Sequence, residues 1–538
     1  MPTTPALATA RTALRRFART TNLMLTGRAF TVIGDGDDAD ALRTVMRACG
    51  GRDDAEHPDY AFVTDGVTPW AAAVSTGAPV VVDLQGGLYG ELTGAVRPGA
   101  TVHAEHGARA GIVSADGVDL VAAWPALPSD SAPSHAGGRI AWAEAHMPLA
   151  ASFARQLKLE GRVRGVRIAV SMVLEPKTAV LALLLRDAGA EVSVFSHRYE
   201  TDDAVAAELR SRGMAVFADP CGDDDTDERL ALELLDGEPD LLLDDGAHVI
   251  RLAHDLRPSL VDRMIGGAEE TTSGVRALRR LQAADGATGL RMPVVAVNDA
   301  VTKTRFDNRY GTGQSCVFAV ADVLEAAART TAAGDARFPQ SFDGAVVTVI
   351  GFGPVGQGVA QFASALGAEV RIVDTDPRVE LEARFAGHRT GAIDAMTADA
   401  DIVISATGVA RTITLEVLRA ARDHAVFAVA GGVDDEIEMA RLRATSRSAP
   451  VSAHLERFSV DDGHIVHVID DGECVNITAG EGNPIEIMDL SFAAQLQAVS
   501  TLLADRGGAQ GLVALPEKAD REIARRALEN RRGTGAGA

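Results

Sequence analysis

Beyond residue 136 the chain alternates short apolar runs with longer amphipathic stretches. Residues 166–170, 190–194 and 240–244 are apolar runs of strand length, and a helix is predicted to start near Pro176. The pattern returns at 346–350, 369–373 and 402–408. Near-continuous apolar strands separated by helical stretches are what a parallel sheet covered on both faces requires. Before residue 136 the same alternation is looser. Runs at 30–33 and 78–84 lie between helical stretches and predict a small α/β domain. Residues 124–133 are rich in proline and serine, the composition of a linker.

One strand runs into a glycine fingerprint. Residues 346–350 lead to Gly351-Phe352-Gly353-Pro354-Val355-Gly356. Gly351 suits the tight turn, Gly353 lets backbone approach a pyrophosphate, and Gly356 lets helix and strand pack closely. The next strand ends in Asp374, placed to accept ribose hydroxyls and to repel a 2′-phosphate. NAD is therefore the expected cofactor. Thr31-Val32-Ile33-Gly34-Asp35-Gly36 echoes the fingerprint, but acids at Asp37 and Asp38 stand where a pyrophosphate would lie. A Rossmann-like unit without a nucleotide is expected there.

Composition narrows the partners. A chain of 538 residues, 46% hydrophobic, can fill two or three cores, and a formal charge of −23 argues against nucleic acid. No uninterrupted apolar run approaches the ~18 residues of a membrane span, so no membrane partner is expected. Cys49, Cys221, Cys316 and Cys474 are far apart, which predicts a reduced compartment and no metal site. The first 34 residues lack acids and carry Arg11, Arg15, Arg16 and Arg19. An amphipathic helix is expected there in preference to a transit peptide, and the protein is expected in the cytoplasm.

The densest chemistry lies between Asn298 and Asn308. Two carboxylates, two carboxamides and Lys303 fall within this span. A lysine and an aspartate beside a nicotinamide suit the removal of a proton from a sugar hydroxyl while hydride leaves its carbon. Residues 297–315 resemble the core signature of the S-adenosylhomocysteine hydrolase family, and the resemblance extends from 139 to about 520. It implies a Rossmann NAD domain and a doubly wound α/β substrate domain, joined here by the small N-terminal α/β domain. The boundaries expected are 1–135, 136–342 for substrate, 343–490 for NAD, and 491–538 for C-terminal helices that return to the substrate domain.

The resemblance also implies roles for individual residues. Lys303 and Asp307 match the pair that relays the 3′-hydroxyl proton, while Asn298 and Asn308 match carboxamides that hold the lysine, the sugar and the cofactor. Asp245 matches an aspartate near C4′ and C5′, and Glu270 a carboxylate on the ribose hydroxyls. Thr271, Thr272, Ser273, Thr407 and Asn476 match positions at NAD. Glu175 and Asn483 are expected at the substrate. The family's histidines are replaced: Val173, Gly432 and Asn483 occupy their places, leaving His248 as the nearest catalytic substitute. The family's C-terminal tail is matched only as far as Lys518. Three readings follow. The first is a nucleoside dehydratase making a 4′,5′-alkene of the angustmycin type in antibiotic biosynthesis. The second is S-adenosylhomocysteine hydrolysis with relocated acid–base groups, and the third a catalytically silent NAD-bound regulator. Family resemblance implies a homo-oligomer, dimer or tetramer.

Overall fold

The computed structural model describes residues 2–94, 101–102, 109, 111–123, 135–283, 289–331, 337–432, 435–461, 463–505 and 510–533. The chain forms two compact units. One comprises Met1–Ser134 and Asn308–Pro484, the other His135–Asp307 and Ile485–Ala538. The expected linker at 124–133 lies outside the described residues.

The second unit is built on seven parallel strands. Their order is Ala215–Phe217, Glu191–Phe195, Arg167–Ser171, Leu241–Asp244, Gly266–Glu269, Val294–Ala296 and Leu512–Ala514. The chain enters at Arg167–Ser171, winds outward twice, then returns to Leu241–Asp244 on the other side. That reversal opens a crevice at the carboxyl ends of these two strands, where doubly wound sheets bind ligands. Register sets Asp244 opposite Ser171 on one side and Glu269 on the other. The helix expected near Pro176 spans Pro176–Asp187.

Helix Ile485–Ala504 is mostly apolar but broken by Glu486, Asp489, Gln495 and Gln497. Its length and composition suffice to cross a membrane, although 61% of its apolar window is buried. It carries the buried polar residues Asp489 and Gln495. The Asp489 carboxylate accepts the N–H groups of Leu149 at 3.0 Å and Ala150 at 2.7 Å, capping helix Pro148–Glu160. Here the helix serves as part of the unit's core.

The first unit holds two sheets. The larger runs Arg389–Thr390, Glu369–Val373, Val346–Ile350, Ile402–Ser405, Val426–Val429 and His464–Ile469 in parallel, then Leu455–Asp461 and Arg447–Ser452 antiparallel. The strands expected at 346–350 and 369–373 match residue for residue. The one expected at 402–408 stops at Ser405, and Gly408 has φ +58°. The other sheet is N-terminal: Arg52–Asp53, Ala29–Ile33, Tyr60–Val63, Val80–Asp83 and Val118–Ala122 are parallel, and Ile112–Ala115 and Thr101–Val102 close it antiparallel. At its fingerprint echo, Asp37 opens helix Asp37–Ala48 and accepts the Thr3 N–H at 3.0 Å.

Charged contacts tie the N-terminal sheet into this unit. Arg15, on helix Thr4–Thr21, pairs with Asp322 and, at 2.6 Å, with Glu325 on helix Thr312–Thr330. Gln314 accepts the Leu25 N–H at 2.9 Å and donates to the Leu23 carbonyl at 3.0 Å. The buried Arg109 pairs with Glu481 at 2.6 Å.

Candidate active site

In the first unit the glycine turn has the shape a dinucleotide needs. Gly351 has φ +92°, open to glycine without strain. A Cβ at Gly356 would lie 1.9 Å from the Gly351 carbonyl oxygen, so strand and helix touch here. At Gly353 a Cβ would meet nothing within 4 Å, which leaves open space at the N-terminus of helix Pro354–Ala365. Unsatisfied N–H groups at such a terminus attract phosphate. Asp374 accepts the Phe352 N–H at 2.9 Å and the Asp376 N–H at 2.9 Å, bracing the turn from the next strand. An open cradle with an acid beside it fits NAD.

The other residues expected at the cofactor divide between the units. Thr407 donates to Glu436 at 2.9 Å. Glu436 is buried and its pKa is raised by that burial; nothing in its local sequence marked it. Asn476 donates to Ser315 at 3.1 Å and to Asn483 at 2.9 Å, and Asn483 donates to Thr312 at 3.1 Å. Asn483 and Asn476 thus share one network. Asn308 is buried on the turn Asp307–Gly311, where this unit resumes. Thr271, Thr272 and Ser273 belong to the second unit.

The second unit gathers the acids, and Lys303 lies among them. Lys303 Nζ stands 2.7 Å from Asp307 and 3.8 Å from Glu270, with only 3% of its side chain exposed. Burial would lower its pKa, but Asp307, Glu270 and Asp245 outweigh that and raise it. Glu270 is pushed up to about 7 by burial, against the opposing pull of Lys303. Gln495 donates to its Oε2, while Glu270 Oε1 and Gln495 Oε1 are buried with no hydrogen-bond partner. Two buried acceptors without donors suit a ligand that brings hydroxyl groups. Asp245 is also raised, first by burial, with Lys303 pulling the other way.

Beneath these groups lies a supporting layer. Glu269 accepts the N–H groups of Gly246 at 3.0 Å and Ala247 at 2.9 Å, together with the Thr271 hydroxyl at 2.8 Å. Asp244, pushed to about 7 by burial, accepts the Ile250 N–H at 2.8 Å. The Asp245 turn is therefore held by two buried carboxylates. Thr271 is committed to Glu269, Ser273 donates to Thr271 at 3.3 Å, and Thr272 donates to Asn298 at 3.1 Å. Glu175 caps its own helix by accepting the Lys177 and Thr178 N–H groups, and it pairs with the buried Lys177 at 2.6 Å.

His248 opens helix His248–Leu256, and burial lowers its pKa to about 4. Its Nε2 is buried without a partner. Its ring lies 4.3 Å from that of His197, at 75°. Sequence reasoning missed His197, Gln495, Lys177 and Asp520. The last accepts the N–H groups of Val301 and Thr302 at 3.0 Å and so anchors the turn that carries Lys303. Each lies far along the chain from the groups it serves, or in a segment without a motif.

Comparison with known proteins identifies the family. The family model for S-adenosyl-L-homocysteine hydrolase matches residues 132–259, and that for its NAD binding domain matches 333–482. An S-inosyl-L-homocysteine hydrolase of Methanopyrus kandleri is 36% identical over 73% of this chain and 89% of its own length. An adenosylhomocysteinase of Thermoplasma acidophilum is 34% identical over 72% and 91%, and one of Aeropyrum pernix 38% over 73% and 91%. The chain belongs to the S-adenosyl-L-homocysteine hydrolase family, NAD-dependent enzymes that act on small nucleoside substrates.

Proposed function

We propose that this protein eliminates the 5′ group of an adenine nucleoside and stops at the 4′,5′-alkene, which makes it a nucleoside dehydratase. The observation that carries the reading is Lys303, buried among Asp307, Glu270 and Asp245 at the carboxyl edge of one sheet. NAD, when bound, supplies a hydride acceptor through which a ribose 3′-hydroxyl can become a ketone. Lys303, kept charged by its carboxylate neighbours, passes a proton to Asp307 as it takes the proton of the 3′-hydroxyl. Glu270 and Gln495 offer two unpartnered oxygens to sugar hydroxyls. A 3′-ketone acidifies the C4′ hydrogen. Asp245, with its pKa raised, is a stronger base than an ordinary carboxylate and removes that proton. The electron pair released forms the alkene as the bond from C5′ to oxygen breaks; the hydride taken from C3′ then returns to the ketone, with a proton from Lys303, so that the net change is loss of water.

The stop at the alkene follows from reduction of the 3′-ketone, because water adds at C5′ only while the ketone activates the alkene. Val173 and Gly432 cannot transfer protons, and Asn483 is tied to Asn476 and Thr312. The family's histidines therefore assist neither loss nor addition of water at C5′ here, assistance commonly worth about 10²–10⁴-fold. Hydrolysis of a homocysteine thioether is the second reading, favoured by the activities for which relatives 34–38% identical are named. A silent regulator would have no chemical reason to keep a lysine buried among three carboxylates. The proposal includes a cytoplasmic homo-oligomer, dimer or tetramer, by likeness to the family.

The test is direct. Protein reconstituted with NAD is incubated in heavy water with S-adenosylhomocysteine, and separately with adenosine and a C1′-hydroxymethyl analogue, and the nucleosides are followed by mass spectrometry. Loss of one water, with no homocysteine released, is expected. Homocysteine release at a useful rate overturns the dehydratase reading in favour of the second.

A further inference from the structure

Elimination of a 5′-hydroxyl needs a proton donor more than elimination of a thiolate does, because hydroxide is the poorer leaving group. Beside Asp245 the second unit carries a histidine that the site as described does not use. His197 follows strand Glu191–Phe195, two strands from Leu241–Asp244 on the same carboxyl edge. Its Nδ1 lies 3.4 Å from Asp227 Oδ2, on helix Asp224–Asp236. The Asp227 side chain is 8% exposed, whereas that of His197 is 31% exposed. The dyad is anchored inside and open outside.

Packing fixes the ring from two further directions. Phe195 meets it edge-on at 5.1 Å and 77°, and His248 at 4.3 Å and 75°. Its loop is tied down as well: Thr201 donates to the His197 carbonyl at 2.7 Å, and the Leu174 N–H donates to Ser196 at 3.2 Å. The charged neighbours are Arg198 and Asp224 along with Asp227, Arg251 on the helix of His248, and Asp245, whose carboxylate is stabilised by His197. That last coupling places the imidazole within electrostatic reach of the C4′ base.

We propose that His197, oriented by Asp227 and packed against His248, is the general acid that protonates the leaving group at C5′. The inference rests on the elimination reading above. Asp245 takes the C4′ proton, the C4′–H electron pair becomes the C4′–C5′ π bond, and the C5′–O bond breaks with its own pair. The departing oxygen takes the Nε2 proton of the His197 imidazolium and leaves as water. Neutral His197 is then reprotonated from solvent. Nδ1 faces Asp227, so Nε2 is the atom turned to substrate. Asp227 and His248 are positioning residues, as the second histidine is held neutral by burial.

Elimination and C4′ proton removal can be read separately. The NAD-loaded enzyme and its His197→Gln variant are given adenosine in heavy water. Deuterium at C4′ of recovered nucleoside is measured alongside loss of the 5′ group. The variant should keep C4′ exchange within about twofold and lose 5′-group release by about 10²–10⁴-fold, the range general acids provide. Asp227→Asn should show the same split to a smaller degree, and it serves if the first variant does not fold. Equal loss of both signals, or loss of neither, overturns the assignment. Wild-type enzyme that exchanges no C4′ hydrogen overturns the elimination reading itself, and this inference with it.

Discussion

Buried carboxylates give the site a pH signature of its own. Glu270 has a pKa of about 7 against an ordinary 4.5. Its folded value lies above its unfolded one, so the folded chain keeps a proton that the unfolded chain releases between these values. The stability this contributes is complete below pH 4.5 and is lost as pH rises through about 7. Glu270→Gln removes the ionisation. In urea unfolding, the variant should gain on the wild type between about pH 5 and pH 8, by on the order of 2–3 kcal/mol at about 1.36 kcal/mol per unit. A gap that does not change with pH would mean that Glu270 is ionised when folded. Glu270 was legible in the sequence through its motif. Its partner Gln495 was not, because 225 residues separate them and no local pattern marks a glutamine on an apolar helix.

At the scale of elements, the cofactor turn depends on a strand and a helix in contact. The 1.9 Å that a Cβ at Gly356 would leave to the Gly351 carbonyl cannot be absorbed without moving helix Pro354–Ala365 or the turn. Gly356→Ala should weaken NAD binding at least tenfold by titration calorimetry and cost about 1–3 kcal/mol in stability. Unchanged affinity would mean that the helix N-terminus does not hold the pyrophosphate. This element was legible because its requirements are local: an apolar strand, three glycines and an acid at the end of the next strand lie within 29 residues, 346–374. The Asp245 turn is equally short, but its support is not local. Glu269 reaches it across a strand pairing, and Asp520 holds the turn of Lys303 from the C-terminal helix Glu517–Gly533.

At the scale of the whole chain, the N-terminal domain is integral to the unit carrying the NAD sheet. Arg15 is 8% exposed and is shared between Asp322 and Glu325. Arg15→Ala should destabilise the protein by about 2–3 kcal/mol in urea, somewhat below the roughly 3–5 kcal/mol for a fully buried pair, because Asp322 keeps some solvent and lies 3.8 Å from Arg19. Replacing both partners, Arg15→Met with Asp322→Leu, should recover most of that loss; no recovery would mean that the ion pair is not what joins the parts. Sequence alone determined the alternation of strands and helices, the glycine turn with its acid, and the order of Asp245, Glu270, Lys303 and Asp307, because each rests on spacing within one or two elements. Tertiary structure alone decided that Gln495 meets Glu270, that Asp227 meets His197, and that residues 1–134 join 308–484 in one unit. Those pairings depend on packing between segments far apart in the chain, and burial that only the folded sheet creates raises the pKa of Asp244, Asp245 and Glu270 above the ordinary carboxylate range.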